Sequence, residues 1–182
     1  MNPEVILVDK NDQVIGTAEK LHAHQKNQLH RAYSVFLFNN ELTHVLLQKR
    51  HPKKYHSGNL WSNTCCSHPQ PHENMIESAK KRLLYEMGIP CDTLHHAGTL
   101  LYQHSFDNGI HEHELDHIFI GVIEEMSPKP HQEEVIDTQW IHTEKLASLL
   151  SKEPKTFTVW FAKCFAIACK EKQKLESTSF SA

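Results

Sequence analysis

Residues 61–69 read W-S-N-T-C-C-S-H-P, two neighbouring thiols followed by an imidazole, yet the chain has no C-x-x-C that would complete a sulfur-rich structural zinc site. In an extended backbone alternate side chains point to opposite sides, so Cys66 and His68 share one side and Cys65 takes the other. Farther along, H-E-H-E-L-D-H (111–117) places Glu112, Glu114 and Asp116 on one face of a strand and His111, His113 and His117 on the other. The apolar run I-F-I-G-V-I follows directly, so this acidic end emerges from a buried sheet, a common place for a site. The simpler accounts are a solvated acidic edge for the carboxylates and a small buried hydrophobe for Cys66. Pooled with His24, His30 and His68, the carboxylates Glu112 and Glu114 make a nitrogen and oxygen donor set suited to a divalent cation such as Zn, Mn or Mg. Lys20, Arg50, Lys53, Lys54 and Arg82 fall near the same segments, and such cations, where they converge, hold a small polyanion such as a diphosphate. Arg82 and Glu86 stand four apart on one helix face, for which a surface ion pair is the simpler account.

These residues need elements to position them. E-V-I-L-V-D (4–9) reads as a strand, K-N-D-Q as a turn, and residues 19–28 as a short polar, partly helical stretch. R-A-Y-S-V-F-L-F-N (31–39) is apolar on both faces, as in a strand buried on both sides, and N-N-E turns it into H-V-L-L-Q-K-R. A loop from Arg50 ends in one short strand, L-W-S-N-T-C-C. Residues 73–87 carry Met75, Ile76, Ala79, Leu83, Leu84 and Met87 at helical spacing, stopped by Gly88 and Pro90. Strands follow near 98–105, 111–123 and 136–141, then helices around 143–150, with Thr143 as N-cap, and 157–173, before a polar tail S-T-S-F-S-A. Strands mixed with few helices and tight turns imply an α/β or α+β sandwich with a mixed sheet.

At 182 residues the chain is long enough for one domain, taken as residues 1–182. Its net charge of -3 gives no electrostatic footprint for nucleic acid or anionic membrane, and no apolar run approaches the roughly 20 residues needed to span a bilayer. Five cysteines, an odd count, and a start lacking the layout of a secretory signal point to reduced thiols in a cytoplasm. Histidine is in excess, with 16 residues, several of them in acidic company.

From Ser67 the spacing S-x5-E-x7-K-R-L-L-Y-E-M-G-I resembles a degenerate Nudix box, G-x5-E-x7-R-E-U-x-E-E-x-G-U, with Arg82 and Tyr85 where glutamates usually stand and Glu86 retained. Together with K-L-H-A-H (20–24), L-H-R-A-Y-S (29–34), K-R-x-x-x-K (49–54), W-S-N-T-C-C-S-H-P and the H-E-H-E strand, this box closely resembles the type I isopentenyl-diphosphate isomerases from Lys20 to Trp160. The resemblance implies a Nudix-like α/β (α+β) sandwich, a central mixed sheet flanked by helices, that interconverts isopentenyl and dimethylallyl diphosphate as a monomer or weak homodimer. It implies His24, His30, His68, Glu112 and Glu114 as ligands of one Mn, Zn or Mg ion, and Glu86 as a ligand of the Mg accompanying the diphosphate. By the same resemblance Lys20, Arg50, Lys54 and Arg82 contact the phosphates, Cys66 and Glu114 form the acid/base pair, Tyr102 assists Glu114, and Trp160 walls the hydrocarbon pocket. Without it, Trp160 reads equally as a core residue beside Phe157, Phe161 and Phe165. Family members usually carry glycine where Ser67 stands. Two rivals are a Nudix hydrolase cleaving a nucleoside diphosphate derivative, and a histidine-rich metal-storage protein with no catalytic cysteine.

Overall fold

The computed structural model describes residues 3–179. The hairpin of β1 (Glu4–Val8) and β2 (Val14–Glu19) runs straight into a short helix, α1 (Lys20–Gln25). The Glu19 carboxylate accepts from the N–H groups of Leu21 and His22, satisfying two of the donors a helix start leaves free and fixing where His24 falls. β3 (His30–Asn39) turns through Asn39, whose side chain accepts from the Thr43 and His44 N–H groups, into β4 (His44–Arg50). Next come β5 (Trp61–Ser62), β6 (Cys65–Ser67) and α2 (Met75–Met87). They are followed by β7 (His95–Ser105), β8 (His111–Ile123), β9 (Val135–His142), α3 (Thr143–Lys152), a 3-10 turn (Pro154–Thr156) and α4 (Phe161–Ser179).

β3 is the hub of one mixed sheet. Along one edge it pairs in parallel with β8 over its full length, His30 opposite Glu114 through Asn39 opposite Ile123, while β7 pairs antiparallel on the far side of β8. Its other edge is shared in turn by β1 at His30, β6 at Tyr33–Val35 and β4 at Leu37–Phe38. Period-2 alternation sends Phe36, Phe38, Ile118 and Ile120 to one face, under Phe161, Cys164, Phe165 and Ala168 of α4. Val35, Leu37 and Phe119 go to the other, under Ala79, Leu83 and Met87 of α2. Both faces are thus covered, as the doubly apolar run 31–39 requires, and each large side chain so buried contributes roughly 1.5–3 kcal/mol.

Four local expectations are corrected. L-W-S-N-T-C-C is not one strand: β5 pairs with β4 and β6 with β3, so the chain crosses the split between them at Asn63 and Thr64. The Thr64 hydroxyl staples that split, donating to Leu46 O at 2.6 Å on β4 and accepting from Leu37 N at 2.9 Å on β3. α2 starts at Met75 behind an Asn74 cap, and ends where Gly88 adopts φ 65, a left-handed turn in which a Cβ would lie 2.7 Å from Lys129 O. His142, not Thr143, caps α3, because β9 extends to His142 opposite His44 and the Thr143 N–H is taken by Thr43 O. The last helix begins at Phe161, since Phe157 bridges Trp61 and the Thr158 N–H donates to Trp61 O, holding that segment extended until Thr158 O receives Phe161 N–H. It runs into the polar tail as far as Ser179, and 180–182 lie outside the described residues. Among the described residues no helix is long and apolar enough to cross a membrane.

Candidate active site

A cleft opens where the N-terminal ends of β3 and β8 meet α1, β6 and the loop after β4. The alternation read along 111–117 holds there: Glu112, Glu114 and Asp116 are all buried. His24 and His30, each in a polar stretch that by itself suggests a surface residue, are both 0 % exposed. α1 folds back over the sheet and carries His24 inward, and His30 is the first residue of the hub strand.

Backbone carbonyls orient these rings. His24 Nδ1 donates to His111 O at 2.9 Å and His30 Nδ1 donates to Gln28 O at 2.8 Å, since a carbonyl can only accept. In the neutral ring each Nε2 is then left with a lone pair, and that of His24 is buried without a partner. His30 Nε2 lies 3.2 Å from His68 Nε2, which lies 2.8 Å from Glu114 Oε1. Burial holds the imidazoles of His24 and His68 below their ordinary pKa. His30 is also opposed by burial, but hydrogen bonding to Glu114 raises it. Burial likewise pushes Glu114 up, but His30 beside it at 3.5 Å, together with Glu112 and the Tyr102 hydroxyl, outweighs burial and brings that carboxyl down to about 2. One ligand atom from each of His24, His30, His68 and Glu114 lies within 4.8 Å of the others. That spacing, the unpartnered His24 nitrogen and the mixed N/O donor set fit a divalent cation.

Glu112, the fifth expected ligand, stands beside this group. Its Oε1 is 2.7 Å from His56 Nε2, and its Oε2 accepts from the Tyr102 hydroxyl at 2.8 Å. The same hydroxyl lies 2.5 Å from Glu114 Oε2, so Tyr102 sits between two carboxylates. Cys66 opens onto the cleft from β6, while Cys65 packs behind with Leu83 and Met87. His68 reaches the cleft from the coil just beyond β6, not from a continuous strand. Burial pushes the Cys66 thiol up to about 12 even though Arg50 opposes it, with Arg50 Nη1 3.7 Å from the sulfur. Trp160 stands immediately before α4, its indole N–H held by Asn63 Oδ1 at 3.1 Å and the Arg50 guanidinium 5.5 Å from its ring.

The four expected cations, Lys20, Arg50, Lys54 and Arg82, all line the cleft. The Arg82–Glu86 pair is present at 2.7 Å, but Glu86 is buried, and Gln48 Nε2 donates to its other oxygen at 3.1 Å. Three residues that sequence reasoning passed over complete the site. Glu134 pairs with Lys54 and, at 2.8 Å, with Arg82, while Tyr55 and His56 close the cleft from the loop after β4. Loops carry no periodicity to mark them; Tyr55 and His56 had only their proximity in sequence to Lys54 as a signal, and Glu134, 80 residues away from Lys54, had none.

Among known proteins, likeness in fold and likeness in chemistry point to different relatives. The NUDIX domain family model matches residues 28–161. Among solved structures, a Deinococcus radiodurans protein superposes with TM-score 0.64 at 17 % identity over 82 % of this chain and 90 % of its own. A MutT protein from Methanosarcina mazei gives TM-score 0.63 at 19 % identity over 79 % of this chain and 94 % of its own. At those identities the likeness concerns the fold alone. Isopentenyl-diphosphate Delta-isomerase 2 of Aromatoleum aromaticum is 42 % identical over 93 % of this chain and 89 % of its own length. The isopentenyl-diphosphate Delta-isomerase of Pectobacterium atrosepticum is 44 % identical over 90 % and 89 %, and that of Streptomyces avermitilis 47 % over 85 % and 78 %. On that extent of shared sequence, the chain belongs to the isopentenyl-diphosphate Delta-isomerase family and carries its chemistry on a NUDIX domain.

Proposed function

We propose that this protein interconverts isopentenyl and dimethylallyl diphosphate, as the names of its relatives describe. The observation that carries the proposal is that a half-buried thiol, Cys66, and a buried carboxylate, Glu114, line one cleft whose other groups include four cations and an indole. Moving the double bond adds a proton at the terminal carbon and removes one from the carbon on the other side of the branch. One group must give a proton while another takes one, and the reverse reaction exchanges their parts. Cys66 and Glu114 are the pair assigned to this, with Tyr102, bonded to Glu114 at 2.5 Å, steering the carboxylate. The tertiary cation formed in between would be captured by water, so the cleft must close dry. Trp160 presents an indole without a nucleophile, worth roughly 0.5–2 kcal/mol to a nearby cation.

His24, His30, His68 and Glu114, with Glu112 adjoining, are assigned to hold one Mn, Zn or Mg ion, and Glu86 the Mg that accompanies the diphosphate. When bound, the first ion would fix Glu114 and change its acidity, and the second would neutralise phosphate charge. Lys20, Arg50, Lys54 and Arg82 are assigned to the diphosphate itself. Two arginines among them offer planar forks matched to phosphate oxygens. The five free cysteines support a reducing cytoplasm, and one continuous sheet supports a single domain over 1–182, working as a monomer or weak homodimer. NMR in deuterated water is the test: deuterium should enter the substrate as both isomers accumulate. Release of phosphate without exchange would favour hydrolysis instead, and neither process in the presence of Mg with Mn or Zn would refute catalysis at this cleft.

A further inference from the structure

His56 is the one imidazole in the cleft that belongs to neither the proposed ion site nor the acid/base pair. It is buried at 8 % exposure, which for a ring in a loop of turns and bends requires specific support. That support is present on two sides. The ring stacks on Phe106 at 4.9 Å and 23° and meets Trp160 edge-on at 5.9 Å, while Asn108 Nδ2 donates to the carbonyl of Tyr55 at 2.7 Å and pins the loop to the β7–β8 turn. So held, His56 aims Nε2 at Glu112 Oε1 at 2.7 Å, with Nδ1 3.2 Å from Ser57 Oγ.

The consequence lies in the next two contacts. The Tyr102 hydroxyl has one proton and touches two carboxylates, Glu112 at 2.8 Å and Glu114 at 2.5 Å. Where that hydroxyl settles therefore depends on how Glu112 is turned. A carboxylate fixed through one oxygen presents the other at a defined angle, whereas one held only by a shared hydroxyl can rotate about its terminal torsion. Resting on the isomerase assignment above, we propose that His56 is a positioning residue. By gripping Glu112 Oε1 it turns Glu112 Oε2 to Tyr102, and so sets the hydroxyl that steers Glu114. The order of action is His56, Glu112, Tyr102, Glu114, and His56 itself never meets the reacting carbons.

The test compares the full-length protein with His56→Phe, which keeps a flat ring without the hydrogen bond, His56→Gln, whose amide nitrogen reaches where Nε2 stood, and the shorter His56→Asn. Loss of such an orienting contact should lower kcat about 10- to 100-fold in the Phe and Asn variants, with KM changed by less than about threefold, and Gln should recover most of the loss. In a Tyr102→Phe background the same His56→Phe change should cost no more than about threefold, because the two residues act in one line. Independently of turnover, the Tyr102 ring signal in a 13C-tyrosine NMR spectrum, assigned with Tyr102→Phe, should move in His56→Asn and return in His56→Gln. Equal losses in Gln and Asn, a change confined to KM, full additivity with Tyr102→Phe, or an unmoved Tyr102 signal would each overturn the proposal. Should the Phe variant not fold, the Gln and Asn pair decides. A wild-type protein that does not isomerise would defeat the assignment of function, and the movement of the Tyr102 signal would then decide whether His56 positions that ring.

Discussion

Thr64 offers a stability measurement that probes the architecture of the site directly. Replacing it with valine swaps a hydroxyl for a methyl of nearly the same volume, at a position fully buried between β3 and β4. Leu46 O loses a donor at 2.6 Å and Leu37 N–H loses an acceptor at 2.9 Å, and both residues are completely buried, so water cannot replace either. Each of the two stranded groups costs about 1–3 kcal/mol, and the added methyl returns about 0.8 kcal/mol, for a net loss of about 1–5 kcal/mol centred on about 3 kcal/mol. For a chain of this length the central value corresponds to a drop in Tm of about 6–12 °C. Urea denaturation followed by fluorescence of Trp61, Trp140 and Trp160 would measure it, with Thr64→Ser as the control. Serine keeps both hydrogen bonds and gives up one methyl, about 1 kcal/mol. A valine variant as stable as the serine variant would refute the idea that the hydroxyl staples the split. Because Thr64 leads directly into Cys65 and Cys66, activity should fall in the same order as stability.

Cys66→Ser should abolish deuterium exchange while leaving the denaturation midpoint near that of wild type, Glu114→Gln should abolish exchange while still unfolding in one cooperative transition, and turnover surviving in either would reassign the acid/base pair. Removing metal with a chelator should stop exchange and lower Tm, because an ion held at 100 times its Kd contributes about 2.7 kcal/mol to the folded state; a Tm indifferent to chelator and to added Mn or Zn would separate the histidine cluster from metal. The Glu134 carboxyl is pushed up by burial but held below 4.5 by its bonds to Lys54 and Arg82, so its stabilising effect is complete well above pH 4.5 and is lost as the pH falls below it. The midpoint difference between wild type and Glu134→Gln should therefore shrink on acidification through that range, and a constant or growing difference would contradict the pairing.

How far the sequence exposed this arrangement depended on whether a residue's position was settled locally. The helix over residues 75–87 was legible because its apolar spacing and Gly88 act within a few residues, and β8 was legible because strand alternation alone turns Glu112, Glu114 and Asp116 to one side. The resemblance to isomerases pointed to His24, His30, His68 and Glu114 together, four residues that the fold brings close and that no local pattern could assemble. The burial of His24 and His30 was invisible because α1 and the start of β3 are buried only by what the rest of the chain lays over them. The apolar pattern of residues 157–165 suits a helix, yet the contacts of Phe157 and Thr158 with Trp61, far away in sequence, delay its start. Tyr55, His56 and Glu134 lie where backbone geometry is set by tertiary contacts, so neither their direction nor their partners could be read in advance.

The parallel register of β3 and β8 sets His30 directly across from Glu114, residues separated by almost half the chain, while His24 and His68 join from elements formed before β8 emerges during synthesis. A growing polypeptide would thus expose three imidazoles with no carboxylate to complete their grip, and a selective, tight hold on an ion could arise only once this long-range ladder had closed. Capture of metal would then mark the completion of folding rather than its nucleus, and a truncated product ending before β8 would be left without the finished trap.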